Sequence, residues 1–212
     1  MDSAVLILGA GGHGRVLAEL AVQVLAAPEI VVLDDDGSKH GVVGPLQRCH
    51  DLELRQRCPL AVVALGQAPL RLQWLKTLQQ LGYRCPPLVH PSAWVSATAV
   101  LGPGTVVLPQ AAIMAGAQLG AGCIVNTSAS VDHDCRLADG VHVCPGAHLA
   151  GDVQVGTGSW IGIGASVIQG ICIGEAVTVG AGAAVVHDLA GGITAVGVPA
   201  RPLSRPQRQP EP

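Results

Sequence analysis

From Val89 onward an aliphatic residue returns at every sixth position. Counted from 89 to 185, the series reads V, V, L, V, I, L, V, V, L, V, L, V, I, V, I, V, V, seventeen of seventeen. A step of six cannot hold a stripe on a helix, because six residues turn it by about 600°. On extended backbone six is an even number, so positions i, i+4 and i+6 share one face. The i+4 positions are nearly all small or modest in size: Ala93, Ala99, Thr105, Ala111, Ala117, Cys123, Ala129, Cys135 and on to Ala183. Glycine follows the aliphatic residue at 102, 120, 156, 162, 174 and 180. This pattern reads as a parallel β-helix of hexapeptide repeats, each short strand followed by a glycine-rich corner. Three hexads make a triangular coil, so the repeats predict between five and six coils. At about 4.8 Å per stacked strand the prism would stand roughly 27 Å tall. A bore that narrow also accounts for the composition. Apolar residues reach 49%, yet there is no Phe, and the aromatic residues are Trp74, Trp94, Trp160 and Tyr83 beside 28 Gly.

Residues 1–87 have a different texture. Apolar runs at Ser3–Leu8, Ile30–Leu33 and Leu60–Leu65 alternate with helical stretches, and continuous apolar strands of this kind belong to a small parallel α/β sheet. Gly14–Ala26 carries Val16, Leu17, Leu20, Val24 and Leu25 on one helical face, and Pro69–Leu81 carries Leu70, Trp74, Leu78 and Leu81. The expected organisation is an α/β, Rossmann-like domain at 1–87, a β-helix at 88–201, and a disordered tail at 202–212, which is rich in Pro and Gln.

A net charge of −3 supplies no basic footprint for nucleic acid, and the few aromatics offer no stacking platform. The opening residues lack a basic segment, and the apolar run behind them breaks at Gly9, which predicts neither export nor membrane insertion. Seven cysteines form no CxxC pair and their odd number closes no disulfide framework. They read as reduced, apolar fillers in a cytoplasmic protein. The flat outer faces of a prism this small predict self-association.

Two constellations carry chemistry. The first is Gly9-Ala10-Gly11-Gly12-His13-Gly14, a GxGxxG turn between a strand and a helix, with Asp34, Asp35 and Asp36 ending the next strand. Such a turn lets backbone approach a diphosphate at the positive end of the helix. Only one mononucleotide-sized half fits the segment, which favours a nucleoside diphosphate over a dinucleotide. The alternative is a tight turn with no ligand. The second constellation is Asn126-Thr127-Ser128-Ala129-Ser130-Val131-Asp132-His133-Asp134-Cys135. His133 falls near a corner and outside the bore, beside Asp134, a pairing suited to a general base. A solvated His–Asp pair is the plainer alternative. His142 and His148 fall in an outward phase, and their spacings from His133 do not stack them into a zinc site. His40, His50, His90 and His187 read as solvated or local-turn histidines.

With both halves in view, the chain resembles the bacterial nucleotide-sugar acetyltransferases of the left-handed β-helix superfamily. That group includes bacillosamine and perosamine N-acetyltransferases and proteins described as sialic acid O-acetyltransferases. The likeness covers about residues 3–201 and rests on GAGGHG at 9–14, LDDD at 33–36, ALGQ at 64–67, HPSA at 90–93, NTSASVDHDC at 126–135 and GVPA at 197–200. It implies that His133 is the catalytic base and Asp134 the neighbour that raises its basicity. Gly11, Gly12 and His13 would hold the nucleotide-sugar, with Asp34 and Asp35 at the base or ribose, Gly66 closing the pocket and Asn126 near the sugar. His142, Gly151, Ile163 and Ala181 would line the acetyl-CoA groove, Ala181 standing where the family carries glycine. Gln67-Ala68-Pro69 departs from the family pattern, which has Asn and acidic residues there. The resemblance also implies a homotrimer with its grooves between prisms, acetyl-CoA as co-substrate, a UDP- or GDP-linked 4-amino-4,6-dideoxy sugar as acceptor, and no metal. Acetylation of a sugar hydroxyl and a non-catalytic nucleotide-sugar binder stand as the alternatives to N-acetylation. An NAD oxidoreductase and a zinc hydratase complete the competing classes.

Overall fold

The computed structural model describes residues 4–25 and 29–203. The first half is built on β1 (Val5–Leu8), α1 (Gly12–Leu25), β2 (Ile30–Leu33), a 3₁₀ turn (Leu46–His50), α2 (Leu52–Arg57), β3 (Leu60–Val63) and α3 (Ala68–Gln80). The strands are parallel in the order β2-β1-β3. β1 reads as unbroken apolar sequence because both its faces are covered. Val5 and Ile7 pack with Leu17, Leu20 and Ala21 of α1, while Leu6 and Leu8 share a cluster with Trp74, Leu75 and Leu78 of α3.

The second helical face differs from expectation. Leu70 is 37% exposed, and Arg71 takes the inward position with Trp74, Leu75 and Leu78. The 3₁₀ turn and α2 have no counterpart in the sequence reading. They bury only Leu46, Cys49 and Leu54, too few residues to set a period.

The second half is a parallel coil with three walls. The first wall starts at β4 (Leu88–Val89) and adds a strand every 18 residues through Thr178–Val179. The second runs from Trp94–Val95 to Ala184–Val185, and the third from Val100–Leu101 to Cys172–Ile173. The bore holds the residues that the period of six selects, from Val107 and Ile113 to Val179 and Val185, with Ala111, Ala117, Ala129 and Ala183 filling the i+4 slots. Polar atoms in those slots are satisfied locally. Thr105 Oγ1 donates to Gly120 O at 2.9 Å, and Ser159 Oγ donates to Gly174 O at 2.8 Å. Six cysteines are buried fillers, but Cys172 lies exposed on the third wall, because its hexad position points out of the bore.

From Gly104 to Gly182 each corner turns through a left-handed backbone residue at i+3. Glycine holds most of these positions, and Gln110, Ser128, Asp134, Asp152 and Ala176 hold the rest with φ between 52° and 60°. Asp is one of the few non-glycine residues that tolerate this conformation.

At the upper end Arg201–Pro202 pairs antiparallel with Thr194–Val196, so the expected tail begins inside a strand. Its remainder, 204–212, lies outside the described residues, as do Ser3 and Ala26 of the expected elements. The two halves are joined along the first wall. Leu88, Val106 and Leu108 cluster with Ile7, Leu17 and Leu20, while Leu75 of α3 lies so close to Gly104 that a Cβ there would stand 2.8 Å from it.

Candidate active site

The glycine turn divides into two kinds of position. A Cβ on Gly9 would stand 2.8 Å from Ala64 O, and one on Gly14 only 2.0 Å from Gly9 O, so the strand–helix turn itself requires both. Gly11 and Gly12 are different: a Cβ meets nothing at Gly11 and only the tip of Arg15, at 4.0 Å, at Gly12. A tight turn without a ligand explains the first pair and leaves the second unexplained. The open space lies at the start of α1, whose first turn carries no acidic residue to offset the helix dipole.

Asp34 and Asp35 are both engaged with the protein's own groups. Ala10 N–H donates to Asp34 Oδ2 at 2.7 Å, and Lys39 Nζ reaches both carboxylate oxygens at 2.9 and 3.0 Å. Burial pushes the Asp34 pKa up, but the bonds from Ala10, Asp36 and Lys39 outweigh it and hold the group below its ordinary value. Asp34 thereby braces the glycine turn. Asp35 Oδ1 accepts from Leu46 N–H at 3.0 Å and ties down the 3₁₀ turn. Gly66 lies open at the start of α3.

Beside it, between α3 and the first wall, is a cavity of about 570 Å³ lined in part by Gly66, Gln67, Arg71, His142, Ser159 and Trp160. His142 points out of the bore, as its hexad phase implies, and it is only 8% exposed because the N-terminal half covers this wall. Its ring tilts against Trp160 with centroids 4.4 Å apart. Asn126 Oδ1 accepts from Thr127 N–H at 2.8 Å, which turns Nδ2 toward His142 Nε2 at 3.1 Å. Nε2 therefore accepts, and Nδ1 carries the hydrogen. That Nδ1 is buried and unpartnered, as is Nε2 of His13. Burial, with Arg71 adding to it, lowers the His13 pKa to about 4; burial, Arg71 and His13 together lower that of His142 to about 3. Both rings are uncharged at neutral pH.

His133 and Asp134 sit on the edge between the second and third walls. His133 Nδ1 lies 2.9 Å from Asp134 Oδ2, and the two side chains are 61% and 69% exposed. A carboxylate only accepts, so Nδ1 holds the hydrogen and Nε2 of the neutral ring keeps a lone pair. The bond to Asp134 is the main cause that raises the His133 pKa above 6.5; burial opposes it, and the charges of Asp132, Asp134 and Asp152 add to it. Glycines on the neighbouring coils make room for the pair. A Cβ on Gly151 would stand 2.5 Å from the His133 ring, and one on Gly116 would stand 2.7 Å from Asp134 Oδ1.

One chain does not bring all these residues together. Asn126, Ile163 and Ala181 lie on the edge between the first and second walls, the last two exposed. His133 and Gly151 lie on the edge opposite the first wall, with the filled bore between them and His142. The expected acetyl-CoA residues thus fall on two edges and one wall. His148 is exposed on the second wall, and no metal-holding group of three or more His, Cys, Asp or Glu occurs among the described residues. A larger groove of about 900 Å³ runs over Arg136, Gln154 and Cys172 on the third wall, and no expected site residue lines it. The sequence reading missed Arg71 and Trp160. The spacing of Arg71 with Trp74, Leu75 and Leu78 was the available signal for the former.

The PglD N-terminal domain family matches residues 4–78. The acetyltransferase domain of PglB from Neisseria gonorrhoeae superposes with a TM-score of 0.90 at 43% identity, covering 95% of this chain and all of that one. The same domain is also known in complex with acetyl coenzyme A. PerB from Caulobacter crescentus, in complex with CoA and GDP-perosamine, gives a TM-score of 0.90 at 37% identity, covering 96% of this chain and 99% of that one. UDP-N-acetylbacillosamine N-acetyltransferase of Bacillus subtilis is 41% identical over 111 residues, which are 49% of this chain and half of that relative's length.

Proposed function

The chain belongs to the bacterial sugar acetyltransferases of the hexapeptide-repeat, left-handed β-helix superfamily, and on that footing we propose that it moves an acetyl group from acetyl-CoA to the amine of a nucleotide-linked 4-amino-4,6-dideoxy sugar. The observation that carries the reading is His133 itself, exposed on an edge, its Nδ1 bound to Asp134 so that Nε2 is left as the acceptor in the neutral ring. The amine nitrogen attacks the thioester carbonyl and Nε2 takes the proton it sheds. The tetrahedral adduct then collapses, the C–S bond breaks, and the leaving thiolate recovers a proton from the imidazolium. The products are an amide and free CoA, and no acyl-enzyme forms. The Gly151 N–H supports the reading as an oxyanion donor, since the coil's backbone bonds run from its neighbours Ala150 and Asp152.

The open space at Gly11 and Gly12 suits a diphosphate at the start of α1. Because this cradle and His133 lie on opposite sides of one prism, the reading also requires a second copy, whose histidine edge completes each site. A homotrimer with acetyl-CoA in the groove between prisms meets that requirement. The defining test incubates a panel of UDP- and GDP-linked amino sugars, and their counterparts with a hydroxyl in place of the amine, with acetyl-CoA and follows mass. One acetyl gained by an amino sugar is the expected result; gain only by sugars bearing hydroxyls in place of the amine overturns the assignment.

Two further outcomes follow from the same geometry. Gly11→Leu fills the space before α1 without touching the fold, so KM for the nucleotide-sugar should rise while KM for acetyl-CoA stays put. Equal damage to both would place the cradle elsewhere. Asp134→Asn removes the charge that stabilises the imidazolium, which lowers the pKa of His133. The acid limb of kcat/KM, which reports the loss of the neutral base as pH falls, should therefore move to lower pH, with a smaller plateau. A limb that stays in place separates Asp134 from the chemistry.

A further inference from the structure

Arg71 is the most deeply buried charged side chain among the described residues, at 1% exposure. No carboxylate pairs with it among them. Its hydrogen bonds all go to backbone carbonyls. Nε donates to Gly122 O at 2.8 Å and Nη2 to Gly140 O at 2.8 Å, while Nη1 donates to Gly66 O at 2.7 Å and Leu65 O at 2.9 Å. Gly122 and Gly140 belong to consecutive coils on the edge between the third and first walls, and Leu65 and Gly66 follow β3. One planar fork therefore fixes the loop after β3 to two rungs of the prism. Adhesion alone would be served by an apolar side chain, since burying a cation without a counter-charge is costly. Arg71 also lines the cavity beside Gly66, together with His142 and Trp160.

We infer that Arg71 is a positioning residue for the proposed acetyl transfer: its fork sets where the Gly66 end of the sugar cradle stands against the prism. It touches no reacting atom. It acts through the loop it holds.

Arg71→Lys keeps a cation and loses the fork, so it tests the positioning directly. Titration calorimetry of the full chain with UDP and with GDP should show the nucleotide that the wild type binds held about tenfold more weakly by the folded variant. With the accepted amino sugar, kcat/KM should fall by about 10². Unchanged nucleotide affinity in folded Arg71→Lys overturns the positioning role. Arg71→Met, which buries an apolar side chain in its place, is the second variant if Arg71→Lys fails to fold: weakened nucleotide binding is again expected, and wild-type affinity would reduce Arg71 to adhesion and overturn the positioning role. A wild type that acetylates no amino sugar would sink the acetyl-transfer reading alone, because nucleotide binding does not depend on turnover.

Discussion

His133→Ala is expected to lower kcat by about 10²–10⁴, the range that a positioned general base contributes, and to leave nucleotide affinity nearly intact. The reasoning starts from exposure. The side chain is 61% exposed and packs into no core, so its removal leaves no cavity and unfolds nothing. Its one side-chain hydrogen bond, to Asp134, holds an exposed partner that water can satisfy instead. The glycine turn lies on the far side of the prism, and nothing in the substitution reaches it. Stopped-flow or steady-state turnover, set beside calorimetry with the nucleoside diphosphate, separates the two effects. Turnover at the wild-type rate would remove His133 from the mechanism.

The second large effect is expected from the smallest substitution. Gly151→Ala adds one methyl group, which would stand 2.5 Å from His133 Cε1 and Nε2. Gly151 does not lie in the left-handed region, so alanine is tolerated there by the backbone. The exposed imidazole is the group that must give way, and it gives way without cost to the coil. A displacement of about 1 Å at a reacting group costs about 10² in rate. Melting temperature and nucleotide affinity should match the wild type while kcat falls by that amount. Wild-type turnover in Gly151→Ala would mean that the ring's seat over this glycine does not matter to the reaction. A loss in both His133→Ala and Gly151→Ala, each with an unchanged melt, would locate the chemistry at this edge.

The coil was legible because its rule is local. Each hexad must send one aliphatic residue and one small residue inward and turn a corner at i+3, so Val107, Ile113, Ala117 and Leu119 announce the bore without help from distant sequence. The αL corner also explains an acid where most coils have glycine: Asp134 tolerates that backbone and brings a carboxylate to His133. The glycine turn was legible for a similar reason, since Gly9 and Gly14 answer to contacts within one strand–turn–helix unit and the end of β3.

Coverage of the prism's outer surface was not legible. His142 occupies an outward phase by count, and only the docking of α1 and α3 buries it. Leu70 and Arg71 exchange the roles that helical periodicity assigns them. The hydrogen bonds that reward the change go to Gly122 and Gly140, 51 and 69 residues further along the chain.

By itself, then, the order of residues determined the two architectures, the bore, the corner geometry and the two chemical constellations, because each follows from spacing within a few residues and from what a strand or turn can accommodate. Tertiary structure alone decided which outward residues are covered, which glycines border open space and which make room for a side chain, and that His133 and the glycine turn stand on opposite sides of one prism. The physical reason is that those outcomes depend on how one folded half seats against the other. No period within either half encodes that seating.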